Sequence, residues 1–434
     1  GRAIPLVRTT VMRTTPVSRL IELLDESATV SLDADVASSL AGHADPRLAR
    51  VLMAHADAAA TEDLTRATDL YDAALAAGAD PAAIAVRKSR MAWRRGDVDE
   101  AALLVDRVAV TAEGESRNEA LRILGSSWSA RGFLRAGAMT YRAQPGHDFL
   151  LFAQGAVASF GTGDPLPLRD AIERLDAGTG GVPTTERVAH AKLMRGLAAS
   201  LSSPSGGAFD ELVRASETYG DSGESGPIPE LPAVIAALGA INIGELHTAG
   251  TILGDALMTD HGGPWARARL LLWAAWVAVH RQHPQESAAR LADIDASVLP
   301  LSNREILIRD AVMLAHVRRY GSPEELRALW MRVRDDVRHV EPDLYLLHPL
   351  REFVETAPLF DDSERIMPAL DALGRILHGL GDPVMWSPHL VWSSFHRALV
   401  DRDAHTQAHT TRALAVAARS SRLAAVLSRA AVEW

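Results

Sequence analysis

Apolar positions recur at intervals of three and four through most of this chain. The runs stop at glycine, proline or short polar breaks, which predicts a succession of amphipathic helices. Three places follow one rule: a helical run ends at a glycine, and five positions later a small residue lies at the opening of a second run. The pairs are Gly96 with Ala101, Gly132 with Gly137 and Gly244 with Ala249. A single helix–turn–helix unit cannot bury its apolar face alone, so such units stack. The expected fold is therefore all-α, a superhelical solenoid of antiparallel helix hairpins.

The pattern divides the chain as follows. Residues 1–45 are irregular, with short helices at 17–24 and 33–40. Hairpins follow at 46–60 with 62–77, 81–95 with 99–111, and 116–131 with 134–143. Then 149–160 leads into 167–175, and 184–201 pairs with 209–219. The Gly- and Ser-rich stretch 220–228 is expected to be a flexible loop between two solenoid halves, 46–219 and 229–434. The second half reads as 229–243 with 246–258, 264–281 with 284–296, 303–319 with 323–337, and 343–359 with 363–380. It closes with 388–400, 404–419 and a last helix at 421–434. No β-branched alternation is long enough for a sheet.

Composition then removes several functions. The net charge of −10 opposes binding of a phosphate backbone, so direct nucleic-acid binding by this chain is not expected. There is no cysteine, which excludes disulfides, thiolate metal sites and cysteine nucleophiles and fits a cytoplasmic setting. The most apolar run, 270–279, is too short to span a membrane. Residues 1–16 are basic without a long apolar core, so they read as the start of an excised segment and not as a signal peptide. The only two lysines, Lys88 and Lys192, lack the glycines of a phosphate-binding loop.

The remaining chemistry gathers late in the chain. Trp273, Trp276 and His280 share one side of a predicted helix, as do Tyr345, His348 and Glu352, and again Trp386, His389, Trp392 and His396. Arg309, Asp310 and His316 interrupt an otherwise apolar helix. Rings combined with charged and imidazole donors suit a neutral polyhydroxylated ligand in a concave groove: C–H faces stack on rings, and hydroxyls take directional partners. The plainer reading is packing, because Trp at helical spacing fills the core between repeats, and buried Arg and Asp pair with neighbours. His405 and His409 stand four apart but lack a third metal ligand. Ser222 in Gly-Asp-Ser-Gly lacks the strand–turn–helix context of a hydrolase nucleophile. Asp335-Asp336 and Asp361-Asp362 read as helix-end residues. No catalytic residue, metal site or cofactor is expected. A glycan-cleaving solenoid would need two facing acids; Glu352 and Asp310 are the available pair, with nothing that singles them out.

Leu121, Leu124, Gly125, Trp128, Gly132 and Tyr141 carry the large–large–small–aromatic–Gly–aromatic spacing of a tetratricopeptide repeat, which 116–141 resembles. The Ala- and Arg-rich array as a whole, with the terminal segment Ser420-Ser-Arg-Leu-Ala-Ala-Val-Leu, resembles the central sensor region of the large ATP-binding LuxR-type regulators, of the maltose-regulon-activator kind. That resemblance implies an inducer-sensing domain, with an ATP-binding switch and a DNA-binding domain as neighbours outside this chain. The inducer it implies is an α-linked oligosaccharide such as maltotriose or trehalose. The alternative is a tetratricopeptide scaffold that binds a peptide or protein. A peptide-carboxylate clamp would place Lys, Arg and Asn in the groove, where this sequence offers Trp, Tyr, His and Glu.

Overall fold

The computed structural model describes residues 15–26, 44–143, 148–177, 183–202, 206–297 and 299–387. Among these the chain is all-α: 19 α-helices, packed as sequential antiparallel pairs, and three short 3-10 helices. The architecture is that of a helical-repeat protein, as the periodicity predicts. No helix among the described residues is long and apolar enough to cross a membrane. The helices expected at 33–40, 388–400, 404–419 and 421–434 lie outside the described residues, as do His389, Trp392, His396, His405 and His409.

The α-helices run α1 Val17–Glu26, α2 Pro46–Ala59, α3 Leu64–Ala76, α4 Pro81–Arg94, α5 Val98–Thr111, α6 Gly114–Ala130 and α7 Leu134–Tyr141. They continue as α8 Phe149–Gly161, α9 Leu166–Asp176, α10 Thr185–Ala199, α11 Gly206–Asp221, α12 Pro232–Asn242 and α13 Leu246–Met258. The last are α14 Pro264–His280, α15 Pro284–Asp295, α16 Asn303–Tyr320, α17 Pro323–Val333, α18 Leu347–Thr356 and α19 Ser363–Gly379. Their starts follow local chemistry. Asp45, Asp63, Asp148, Thr184, Ser302 and Ser322 each accept a backbone N–H of the first turn, at about 1 kcal/mol per cap. Ser302 with Glu305, and Ser322 with Glu325, complete reciprocal capping boxes.

Two expected helices are shorter than their apolar pattern. The helix read at 323–337 stops at Val333 and resumes as the 3-10 turn Asp336–His339. The one read at 343–359 becomes a 3-10 turn Leu344–Leu346, then α18, then a 3-10 turn Ala357–Phe360. The Asp343 carboxylate accepts the N–H groups of Tyr345 and Leu346, which fixes a tight turn where an α-turn would leave them orphaned. At the far end Pro358 has no N–H to continue the ladder.

The chain divides into two compact units, Gly1–Trp93 with Asp99–Ile123, and Arg94–Val98 with Leu124–Trp434. In the first, α2 and α3 pack through Leu48, Leu52, Ala56, Leu70, Tyr71 and Ala74. Buried Ser89 donates to the Ala101 carbonyl at 2.6 Å, tying α4 to α5 within this unit.

In the second unit the repeat signature takes physical form at α6–α7. Gly132 has a φ of +89°, and a Cβ there would lie 2.4 Å from Val340 Cγ1. A Cβ on Gly125 would sit 2.7 Å from the Tyr141 ring, and one on Gly137 would sit 2.6 Å from the Gly125 carbonyl oxygen. The small residues are thus close-approach points, and the large aromatic fills the space they leave. Farther on, the first helices form a stack of their own: α14 packs on α16, and α16 on α18. Every residue of α12 is buried, and so are fourteen of the seventeen in α14, so these helices are covered on all sides.

The stretch 222–228 of the expected flexible loop makes contacts with neighbouring helices, and Glu230 and Leu231, expected at the start of the next helix, precede it. Gln154 and the Trp265 indole donate to the carbonyls of Pro227 and Ser225, and Glu230 and Leu231 are buried.

Candidate functional site

The stack of α14, α16 and α18 brings several of the expected residues into one cluster. On α14 the spacing of four between Trp276 and His280 puts the two rings face to face, with centroids 3.7 Å apart and planes 27° from parallel. His348, at the start of α18, lies against both indoles, 5.0 Å from Trp276 and 6.4 Å from Trp273. One turn later on α18, Glu352 is completely buried and meets His280 Nε2 at 2.8 Å. The end of α16 supplies the cations: Arg318 donates to Glu352 at 2.6 Å, and Arg319 lies 3.6 Å from the same carboxylate. Arg318 also pairs with Glu355, which Arg351 holds from the other side.

The electrostatics of this cluster are decided by burial against neighbouring charge. Burial opposes ionisation of Glu352, but Arg318, His280 and Arg319 hold its carboxyl far below the usual range. Glu355 is lowered in the same way, with Arg351 the largest counter to its burial. Burial brings His280 down to about 4, against the pull of Glu352, so the imidazole is neutral at pH 7. A neutral His280 donates from Nε2 to Glu352 and presents Nδ1 as acceptor to Arg319, 3.4 Å away. Both ring nitrogens are thereby used while the ring face stays on Trp276.

Behind the ion pairs the cluster is polar but incompletely matched. His348 Nε2 pairs with the Asn242 carbonyl oxygen at 3.1 Å. The Asn242 amide nitrogen and the indole nitrogens of Trp273 and Trp276 are buried with no hydrogen-bond partner. These are three N–H donors without acceptors in one neighbourhood. An unmatched buried donor costs on the order of 1–3 kcal/mol, and native proteins carry few of them.

The other expected residues lie elsewhere. Tyr345 is buried and donates to the Val157 carbonyl at 2.8 Å, tying the 3-10 turn to α8. The Trp386 indole donates to Ser200 Oγ at 2.8 Å and its ring meets Phe160 edge-on. Arg309 and Asp310 pair with each other, at 3.1 Å. Burial and the hydrogen bond that protonated Asp310 donates to Asp336 push the Asp310 carboxyl up to about 7. His316 packs against Tyr320. Asp362 makes no backbone cap; it accepts from the Trp330 indole, Arg334 and Arg365. Trp273, Trp276, Tyr345 and Trp386 are at most 1% exposed, so any ligand touching them has to enter the packed layer.

Three elements escape a reading of the sequence. Arg318 and Arg319 look like ordinary basic residues closing a helix. Asn242 sits in the turn signature ahead of Gly244. Most hidden is a fully buried ion cluster in the second unit: Arg304 bonds Asp343 at 2.6 Å and Glu230 at 3.2 Å, while Arg269 pairs with Glu230 at 3.3 Å and Glu305 at 3.4 Å. The only sequence signal for it is a set of isolated charges within apolar runs. Among the described residues no three His, Cys, Asp or Glu side chains are grouped to hold a metal ion.

No family model matches the chain, and no curated protein matches it.

Proposed function

We propose that this chain is the inducer-sensing part of a transcription regulator, binding a small polyhydroxylated molecule at the α14–α16–α18 stack. An α-linked oligosaccharide such as maltotriose or trehalose is the ligand class. The observation that carries this reading is the set of unmatched N–H donors on Trp273, Trp276 and Asn242 beside the His280–Glu352–Arg318 network. A sugar supplies hydroxyl oxygens to such donors and C–H faces to the rings. Because the indoles lie inside the packing, a bound sugar favours a state in which these helices are spread. Sensing then operates as a shift of population between two helix spacings, which an ATP-binding switch and a DNA-binding domain elsewhere in the regulator would read.

Calorimetric titration of the chain with maltotriose and with trehalose tests this. We expect saturable heat from at least one sugar, and an affinity roughly tenfold weaker in Trp276→Phe, which keeps a ring and removes the N–H. Trp276→Phe should retain its thermal stability, since it also removes a buried donor that lacks a partner. Silence with both sugars, combined with tight binding of a peptide or protein domain, would support the scaffold reading instead.

A further inference from the structure

We propose that a second site lies in the cleft formed by the end of α16, the start of α17 and the 3-10 turn Ala357–Phe360, and that it takes a small monocarboxylate with a flat apolar body. The cleft measures about 420 Å³, within the range of small-molecule sites. Its apolar lining comes from Val317, Pro323, Leu326, Leu359 and Phe360, and its cations are Arg318 and Arg327.

The aromatic wall is fixed in place. Phe360 stacks on Trp330, with centroids 6.1 Å apart and planes 18° from parallel. Trp330 is fully buried, and its indole N–H is anchored on Asp362 at 3.2 Å. On Phe360 rests the Arg327 guanidinium, 5.2 Å from the ring centroid. Arg327 is exposed, and no carboxylate pairs with it among the described residues. A guanidinium over a ring face still has its N–H donors free for a carboxylate, which it can receive through two parallel hydrogen bonds.

Charge decides the ligand class. Arg318 lies between the buried carboxylates Glu352 and Glu355, and the exposed Arg327 sets a positive field in the cleft. Glu324, in the first turn of α17, lines the same cleft and offsets part of that field. A single negative charge therefore fits better than a dianion, and a cationic body is disfavoured by both arginines. The Glu325 carboxylate already occupies the Ser322 N–H in the capping box, so the helix start is not the anion acceptor.

The link to the buried cluster is Arg318 itself, which lines the cleft and bonds Glu352. A carboxylate drawing on Arg318 competes with Glu352 for it, so occupancy here weakens the Arg318–Glu352 bond. This site stands on its own observations and does not require that a sugar bind near Trp276.

The test uses the full chain and 8-anilinonaphthalene-1-sulfonate, a fluorescent aromatic monoanion, as probe. We expect one probe per chain, displaced by phenylacetate but not by phenethylamine or phenyl β-glucoside. Arg327→Gln should weaken the probe at least tenfold, and Glu324→Gln should tighten it severalfold. Both side chains are exposed, so the thermal midpoints of the two variants should match that of the parent chain. Equal probe affinity in all three proteins, or displacement by phenethylamine as effective as by phenylacetate, would overturn the assignment.

Discussion

Arg304→Met lowers the stability of the second unit by on the order of 3–5 kcal/mol, the largest loss expected from a single substitution here. The reason is asymmetry. Arg304 is 0% exposed and holds two buried carboxylates, Glu230 and Asp343. Burial works against its charge, yet Asp343 and Glu230 hold its pKa above the usual arginine value. Methionine fills similar volume but leaves Asp343 desolvated and uncompensated, and leaves Glu230 with Arg269 as its remaining cation. Each acid also sits at a structural junction. Glu230 accepts the Leu231 N–H ahead of α12, and Asp343 caps the 3-10 turn that opens α18. Urea unfolding of the parent and variant measures the loss. The triple variant Arg304→Met, Glu230→Gln, Asp343→Asn should recover much of it, since neutral amides tolerate burial better than lone carboxylates. A single-variant loss below about 1 kcal/mol would show that water or another cation reaches the acids.

Asp310→Asn should stabilise the protein above neutral pH by up to about 4 kcal/mol and have no effect near pH 4. The Asp310 carboxyl rises from 3.8 to about 7 in the folded chain, chiefly through burial and the Asp336 hydrogen bond, partly opposed by Arg309. Between these two values the folded chain holds a proton that the unfolded chain has released. Stability contributed by this group is therefore present below 3.8 and lost as pH rises toward 7. Above that, two carboxylates face each other with one of them buried. Asparagine reproduces the protonated form: its oxygen accepts from Arg309 and its amide donates to Asp336. Histidines act oppositely in the same window. His261 and His280 are held down to about 4 by burial, so the unfolded chain takes up protons first as pH falls, and stability drops between 6.5 and 4. The parent curve mixes both trends. The difference between Asp310→Asn and the parent isolates Asp310, and it should grow from pH 4 to about pH 7 and level off above that. A difference independent of pH would remove the Asp310–Asp336 pair from the account.

The fold is legible in the sequence where local rules and packing agree. Gly132, Gly137 and Tyr141 announce a close helix pair, and the structure places them in the contacts that spacing requires. Helix ends are legible only where the cap is local. Ser302 and Ser322 mark theirs, whereas the breaks around Asp343 and Pro358 interrupt an apolar pattern that continues past them. The candidate site is half legible for a related reason. Trp276 and His280, or His348 and Glu352, share a helix side by arithmetic, but their meeting depends on how α14, α16 and α18 stack. Periodicity carries no information on partners separated by seventy residues. The ion cluster of Glu230, Arg269, Arg304, Glu305 and Asp343 shows this most clearly, since each charge alone looks like a solvated residue.

The central claim is that the unmatched indoles of α14 are ligand donors, and nuclear magnetic resonance reads them directly. In chain labelled with ¹⁵N-tryptophan, the Trp273 and Trp276 side-chain N–H signals are assigned by Trp273→Phe and Trp276→Phe. Titration with maltotriose or trehalose should move both signals, saturably and at the calorimetric midpoint, while the Trp330 signal, already bonded to Asp362, stays in place. Stationary Trp273 and Trp276 signals at saturating concentrations of both sugars would contradict the account.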